Sequence, residues 1–233
     1  MAKCAEIGVK GLKIDFFHTE NLFTVRLMEE ILKDAAKEKL MVIFHGVNKP
    51  AGESFKYPNL LAKEAVRGLE CVGGESSWAP GPADYTPLNF RAFCPEAVTF
   101  THQLASIYMF TSPMLILAAD MEDMLKCPGR RFIEEVPVVW DENYVLPESK
   151  IGNLAAIARR KGDIWYLSVL NGEQEKSVSL NLNFLPEGKY KMVIAYDKGR
   201  KEILMDTKTI KSRKSLNIKL LSGGGYLARF ERI

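Results

Sequence analysis

The sequence predicts a mixed fold, in which an α/β region over residues 1–147 precedes an all-β region over residues 148–233. In the first region, apolar runs of strand length alternate with stretches of helical period, which is typical of parallel βα units. In the second region, segments of alternating apolar and polar residues are separated by turn residues, which indicates antiparallel strands. Only about four or five strands fit the first region, whereas a complete (β/α)8 barrel needs about 250 residues. We therefore predict the second half of a (β/α)8 TIM barrel followed by a C-terminal antiparallel β-sandwich.

The α/β region begins with a strand, a helix and a second strand. Residues 11–17 are an apolar strand, and residues 21–39 repeat apolar side chains about every 3.6 positions, which predicts a helix with Thr19 or Asn21 as its N-cap. Residues 40–45 predict the second strand. The remaining predicted elements are a helix over 59–67, a loop over 73–87, a helix over 95–110, a strand over 113–119 and a helix over 121–133, interrupted at Pro128-Gly129.

The all-β region contains seven predicted strands with period-2 patterning. They cover residues 154–159, 164–171, 177–182, 189–197, 206–210, 216–220 and 226–231. Turn signals such as Asn171-Gly172 separate them. This region carries no strong catalytic grouping, so we expect it to pack against the preceding domain, with glycan binding as the alternative.

Composition excludes several classes of partner. The 32 Lys and Arg residues and the 29 Asp and Glu residues are interspersed and leave a net charge of only +3, so no nucleic-acid groove or polybasic membrane patch is indicated. No apolar stretch reaches transmembrane length, and the first residues lack the apolar core of a secretory signal. We expect no nucleic acid and no membrane insertion. The cysteines show no CxxC spacing, which favours free thiols over a zinc site; they are Cys4, Cys71, Cys94 and Cys127.

Asp15 stands in an otherwise apolar strand, two residues after Lys13. Because burying an unpaired carboxylate costs several kcal/mol, Asp15 is either paired structurally or placed at the mouth of a site. In barrels and open α/β sheets, chemistry takes place at the carboxyl ends of the strands. The other polar residues that fall at predicted strand ends or in the loops just beyond them are His18, His45, Glu64, Glu70 and Asp84.

Two carboxylates on facing strand ends are what glycoside hydrolysis requires. One attacks or stabilises the oxocarbenium carbon, and the other protonates the leaving oxygen. Strand-end acids also pair with Lys or Arg for structural reasons, so both interpretations of Asp15 and Glu70 stay open from the residues alone. Glu64 and Glu70 are six positions apart; a shared hard cation would hold both carboxylates, and a salt bridge to Arg67 is the alternative.

Ordered motifs run along nearly the whole chain. They are Gly8–Phe17, Phe44–Gly46 with Lys49-Pro50, Tyr57–Glu70, Gly81–Pro87, Ser112-Pro113 with Ala118–Asp120, Val136–Glu142, Ile157–Asp163 and Gly223–Gly225. In this order the motifs resemble those of glycoside hydrolase family 97.

The resemblance implies one of two mechanisms, because the family contains calcium-dependent inverting α-glucosidases and retaining α-galactosidases. In the inverting members a glutamate follows the strand-end histidine, whereas Gly46 stands at that place here. In the retaining members an aspartate at the end of the preceding motif strand is the nucleophile, and Asp15 stands there. The resemblance thus implies a retaining α-galactosidase-like hydrolase, with an α-glucosidase of the same family as the alternative.

The resemblance also implies roles for the other strand-end residues. Glu70 matches the general acid/base, and Glu64 matches a carboxylate that binds calcium, with Glu70 on or near the same ion. Lys13, His45 and Asp84 are expected to bind substrate. Lys13 is also expected to help keep Asp15 ionised. The carboxyl groups of Asp15 and Glu70 should stand about 5 to 5.5 Å apart, which permits direct attack without an intervening water.

The family architecture carries an N-terminal sandwich and the first half of the barrel before the strand of Asp15. We therefore expect either a complementing N-terminal half or self-association through open sheet edges. An oligosaccharide or α-galactoside is the expected substrate. The alternative is a non-catalytic remnant that binds carbohydrate or serves in assembly. The family resemblance implies a periplasmic or secreted location, on which the chain itself is silent.

Overall fold

The fold is that of a computed structural model, which describes residues 1–17, 19, 21–48, 51–64, 84–90, 97–112 and 114–233. The chain divides into two compact units, the parallel unit (residues 1–86) and the antiparallel unit (residues 87–233). This division differs from the predicted domains, because residues 87–147 belong to the same compact unit as the antiparallel strands. The predicted boundary after residue 147 stays a prediction.

The parallel unit is built from βα units, as its sequence pattern predicts. Its elements are α1 (Ala2–Glu6), β1 (Gly11–Ile14), α2 (Leu22–Lys37), β2 (Met41–Phe44), α3 (Glu53–Lys56) and β3 (Leu60–Lys63). The strands pair in parallel in the order β1-β2-β3. Asn21 caps α2 by accepting a hydrogen bond from the backbone N–H of Thr24, which satisfies one of the otherwise unpaired amides of the first turn.

The core of the parallel unit lies between α2 and the sheet. Met28, Leu32 and Ala35 recur on one face of α2 and pack against Val42 and Phe44 of β2. This spacing gives an apolar helical face, and the continuous apolar run of β2 is typical of a strand buried on both faces. Together they hold the carboxyl ends of the strands in a fixed register.

One predicted element of the parallel unit is wrong. A helix was predicted over residues 59–67, whereas Leu60–Lys63 form strand β3 beside β2. A short apolar run fits a buried strand and a buried helix equally well by periodicity. The neighbouring strand β2 offers Leu60–Lys63 a ladder of hydrogen bonds, and this tertiary pairing decides the conformation.

Within its described residues, the antiparallel unit has three helices followed by eight strands. They are α4 (Phe100–Met109), α5 (Met121–Lys126), α6 (Arg130–Glu135), β4 (Glu142–Val145), β5 (Leu154–Lys161), β6 (Ile164–Asn171), β7 (Lys176–Asn181), β8 (Lys189–Gly199), β9 (Glu202–Lys211), β10 (Ser215–Leu220) and β11 (Gly225–Arg232). A six-stranded sheet has the order β4-β5-β6-β11-β8-β9, and β7 pairs with β10 in a two-stranded sheet. All these pairings are antiparallel.

Both faces of the six-stranded sheet are covered. On one face Leu180, Ile218 and Leu220 of the two-stranded sheet share a core with β5, β6, β8 and β11. On the other face α4 contributes Leu104 and Tyr108 to a second core, which includes further residues of the same sheet. The alternation of side chains along each strand supplies both faces at once.

The seven strands predicted in this unit are all present as β5 to β11. Strand β4 was not predicted, because its four residues are all exposed and carry no apolar alternation. Residues 114–119, predicted within a strand, lie outside the strands. Leu115 and Leu117 instead pack against the helix-side core. In the part of the chain that the structure describes, no helix has both the length and the apolar character needed to cross a bilayer.

Candidate active site

Ionisable residues converge at the carboxyl ends of the three parallel strands. Asp15 follows β1, His45 follows β2 and Glu64 follows β3. The backbone ladder runs one residue beyond each strand pair, since His45 N–H donates to Ile14 and Glu64 N–H donates to Phe44. The backbone N–H of Asp84 donates to Lys63 in the same way. The structure thus brings four residues predicted from the sequence to one edge of the sheet.

His45 lies at the centre of this group and is only 6% exposed. Its Nδ1 is 3.2 Å from Oδ2 of Asp15. Because an ionised carboxylate only accepts hydrogen bonds, Nδ1 is the donor of this pair. Nε2 of His45 lies 3.5 Å from Oε1 of Glu64 and 3.7 Å from Oδ2 of Asp84. One buried imidazole therefore stands among three carboxylates.

Lys13 points at Asp84. Its ammonium lies 2.9 Å from Oδ2 of Asp84 and donates a hydrogen bond to the hydroxyl of Thr86, also at 2.9 Å. Asp84 is 5% exposed, and a carboxylate so deeply buried is stabilised when it is paired. Lys13 therefore compensates the charge of Asp84. Its predicted contact with a sugar hydroxyl and its predicted effect on Asp15 stay predictions.

Asp15 is held from two sides and remains accessible. The backbone N–H of Phe16 donates to Oδ1 at 2.6 Å, and His45 donates to Oδ2. The side chain of Asp15 is 31% exposed. Both carboxylate oxygens are thus fixed, while the group still faces open space.

The backbone around the site is strained. Phe16 has φ = 70° and Thr86 has φ = 50°. Left-handed backbone at residues other than glycine costs on the order of 1–3 kcal/mol and clusters at functional sites. Both strained residues make contacts in the site. The N–H of Phe16 donates to Asp15, and the hydroxyl of Thr86 accepts a hydrogen bond from Lys13.

A buried ion pair supports the loop between β2 and β3. Lys63, 2% exposed, forms an ion pair with Glu53 and donates a hydrogen bond to Oδ1 of Asn48 at 3.1 Å. Burial of Glu53 opposes its ionisation, but the hydrogen bonds from Lys63 and from the backbone of Ala51 outweigh it and lower the pKa of Glu53. Lys63 immediately precedes Glu64, so this pair anchors the backbone that carries Glu64.

Sequence reasoning missed Lys63 and Thr86. Lys63 lies in an apolar strand one residue before a candidate acid, and Lys13 lies two residues before Asp15. A basic residue in an apolar run was therefore the available signal at both strands. Thr86 carried no signal, because its contact with Lys13 joins positions 73 residues apart.

Two candidate residues, Glu70 and His18, lie outside the described residues, as does Arg67. The expected distance between the carboxyl groups of Asp15 and Glu70 stays a prediction for the same reason. Among the described residues, no group of three or more His, Cys, Asp or Glu side chains is arranged to hold a metal ion. Of Glu64, Oε2 accepts the N–H of Gly46 at 2.7 Å and Oε1 faces His45. Since calcium takes six to eight oxygen ligands, the described residues do not by themselves form a calcium site.

Acids at the carboxyl ends of parallel strands stand where barrel and open α/β enzymes carry out their chemistry. Two family models match in chain order. "Glycoside hydrolase 97" matches residues 1–66, and "Glycosyl-hydrolase 97 C-terminal, oligomerisation" matches residues 139–231. The chain belongs to glycoside hydrolase family 97.

Curated relatives agree with this assignment. A retaining alpha-galactosidase of Bacteroides thetaiotaomicron is 29% identical over 97% of this chain and 39% of its own length. A probable retaining alpha-galactosidase of Streptomyces bingchenggensis is 28% identical over 95% of this chain and 36% of its own length. The chain spans about two fifths of the length of these relatives.

A solved structure has the same fold. A glycoside hydrolase family 97 enzyme in complex with acarbose, from Pseudoalteromonas sp. strain K8, superposes with a TM-score of 0.80 over 99% of this chain and 43% of that chain. Its sequence is 23% identical. The mixed α/β and antiparallel content predicted from the sequence is confirmed.

Proposed function

We propose that this chain carries the nucleophile side of the active site of a retaining α-glycosidase, with a terminal α-galactoside as substrate. The observation that carries the proposal is Asp15, an accessible carboxylate at the end of β1 with its two oxygens fixed by Phe16 N–H and His45. The names of the curated relatives support the α-galactoside. The glycine at position 46, where inverting members are expected to have a glutamate, supports retention.

The proposed reaction has two displacements. In the first, Asp15 forms a bond to the anomeric carbon as the glycosidic C–O bond breaks, and Glu70 gives its proton to the leaving oxygen. In the second, Glu70 takes a proton from water, the water oxygen bonds to the anomeric carbon, and Asp15 leaves as a carboxylate. Two inversions at one carbon release the sugar with its original configuration.

His45 serves this reaction by fixing Asp15. A nucleophile is effective when the reacting atoms are already in a near-attack position. The Nδ1 bond on Oδ2 and the Phe16 N–H on Oδ1 orient the carboxylate plane. Lys13 and Thr86 in turn hold Asp84 and the Nε2 side of His45, since Thr86 Oγ1 is 3.5 Å from Nε2.

The finer parts of the proposal rest on the same family membership. The three parallel strands with intervening helices are proposed as the second half of a (β/α)8 barrel, and the paired sheets of the antiparallel unit as a sandwich. We also propose a calcium ion held by Glu64 and Glu70 with further ligands outside this chain's described residues, self-association supported by the description of the C-terminal family model, a complementing N-terminal half and a periplasmic or secreted location.

The test uses the enzyme encoded by the complete reading frame that contains this chain. With p-nitrophenyl α-galactoside as substrate we expect turnover, with much less on the α-glucoside. Asp15→Ala should lower kcat by on the order of 10⁴-fold or more, and azide should restore turnover and yield a β-galactosyl azide. Asp34→Ala, which removes an exposed carboxylate on α2, is the matched control and should leave kcat unchanged.

Three outcomes would contradict parts of the proposal. Preference for the α-glucoside would favour the α-glucosidase alternative. Full activity in Asp15→Ala would remove Asp15 as nucleophile. Binding of galactosides without turnover by the complete enzyme would favour the non-catalytic alternative, a carbohydrate-binding or assembly module. Chelation followed by addition of calcium, read out by thermal unfolding as well as by activity, tests the ion separately.

A further inference from the structure

Gly46 lies directly against the carboxylate of Asp15. Its backbone has φ = 57°, and a Cβ built on it would lie 2.8 Å from Oδ1 of Asp15 and 3.1 Å from the backbone nitrogen of Phe16. Cβ atoms in proteins do not approach other heavy atoms to 2.8 Å. Any residue other than glycine at position 46 would therefore displace the carboxylate of Asp15 or the backbone beside it.

The position of Gly46 is itself fixed. Its N–H donates to Oε2 of Glu64 at 2.7 Å, and the preceding residue is tied to β1 through the bond from His45 N–H to the carbonyl of Ile14. Relief of the clash by movement of Gly46 would break the hydrogen bond to Glu64. Relief by movement of Asp15 would break its hydrogen bond with Phe16 or His45.

We infer that Gly46 is a positioning residue for the nucleophile, and that a side chain at position 46 and a productively placed carboxylate at position 15 exclude each other. This inference rests on the proposed role of Asp15 and deepens it. Because Gly46 has no Cβ, Oδ1 of Asp15 can occupy the space beside it. A glycine at position 46 therefore permits the acid directly after β1 to serve as the nucleophile. Glu64 contributes by holding the Gly46 turn in this space.

The contact is tested first by a double-mutant cycle on stability, which needs no activity. Gly46→Ala should lower the urea midpoint more than Gly8→Ala does. Gly8 is the matched control because it also has a positive φ, 91°, but a Cβ there would meet nothing within 4 Å. The excess loss in Gly46→Ala should shrink in an Asp15→Ala background, because Oδ1 is then absent. Additive effects of Gly46→Ala and Asp15→Ala would overturn the inference.

The catalytic consequence is tested by trapping. A fluorinated α-galactosyl fluoride should label the complete enzyme by one glycosyl unit, counted by intact mass, and peptide mass mapping should locate the label on Asp15. Gly46→Ala should slow labelling by on the order of 100-fold, the cost expected for a displacement of about 1 Å, and Gly8→Ala should label at the normal rate. Normal labelling of Gly46→Ala would overturn the inference. If wild-type enzyme labels at another residue, the proposed role of Asp15 fails, whereas the stability cycle still decides whether the contact is real.

Discussion

The antiparallel unit buries mainly apolar side chains, whereas the parallel unit gathers charged side chains at one edge of its sheet. In the antiparallel unit, both faces of the six-stranded sheet are buried by apolar residues, and two cores account for most of its buried side chains. In the parallel unit, a smaller core lies under a strand edge that carries Lys13, Asp15, His45, Glu64 and Asp84. The apolar sheet and the charged strand edge thus belong to different units, because charges that stay accessible cannot also form a dry core.

Two residues with left-handed backbone accompany the site contacts of the parallel unit. Phe16 and Thr86, both with left-handed backbone, carry contacts of the site. In the antiparallel unit, Arg213 has φ = 60° in an exposed turn between β9 and β10. Phe16 and Thr86 are therefore part of the arrangement around Asp15, whereas Arg213 reverses the chain. Other described residues with positive φ are Lys39, which follows α2, and Leu88, which is buried in the antiparallel unit.

The largest loss of folding stability is expected from a substitution in the core of the antiparallel unit. Phe230 is fully buried and packs edge-on against Phe184 at 5.8 Å between ring centroids. Phe230→Ala should lower the free energy of unfolding of this unit by about 3–5 kcal/mol. Chemical denaturation followed by hydrogen exchange would show the loss in β6, β8 and β11. Leu204→Ala, at a 36% exposed position on β9, is the control and should cost much less; equal losses would contradict the packing.

An intermediate effect is expected from the buried ion pair of the parallel unit. Lys63→Met removes the charge next to Glu53 and should cost about 1–3 kcal/mol, with a loss of activity because Glu64 follows directly. Lys56→Met removes a similar contact with Glu29, but Lys56 is 65% exposed, so a much smaller loss of stability is expected. Urea unfolding of the two variants side by side is the measurement.

The stability that Glu53 contributes to the folded protein depends on pH. The pKa of Glu53 is lowered in the folded protein, so its contribution to stability is present above the pKa of the unfolded chain and is lost as pH falls through the folded pKa. Lys63→Met should therefore flatten the acid side of the stability profile. If the stability of Lys63→Met at acid pH follows that of the wild type, the lowered pKa of Glu53 does not depend on Lys63.

The smallest effect concerns Asp197 on β8, which accepts the backbone N–H of Gly225 at 3.0 Å. Burial raises the pKa of Asp197, although hydrogen bonds from Thr99, Thr101 and Gly225 act in the opposite direction. Because the folded state then holds this proton more tightly, stability falls as pH rises from the unfolded pKa through the raised folded pKa. Asp197→Asn keeps an acceptor for Gly225 and should remove this fall.

Asp206 provides the contrast within the same unit. Lys208 and the backbone of Thr207 lower its pKa, so Asp206→Asn should change the profile in the opposite direction. Thermal unfolding of both variants between about pH 4 and pH 7 compares them. The same sign of change in both variants would contradict the burial of Asp197.

The two units also differ in how far their sequences predict them. Strands β5, β7, β8 and β10 follow from period-2 alternation, because more buried and more exposed residues alternate along them and the sequence pattern matches this burial. Strand β3 was mistaken for a helix, since a run buried on both faces carries no period. Strand β4, Glu142–Val145, was missed because an exposed edge strand needs no apolar residues.

The candidate residues could be named without coordinates. Asp15 and His45 stand at predicted strand ends, and Glu64 and Asp84 stand in motifs that resemble those of the family. How these side chains meet depends on the packing of the strands. This packing placed His45 among three carboxylates, turned Lys13 toward Asp84 and packed Gly46 against Asp15. These contacts join residues that are 19 to 71 positions apart, and parallel pairing, which is set by burial of the whole sheet, is what brings such positions to one edge.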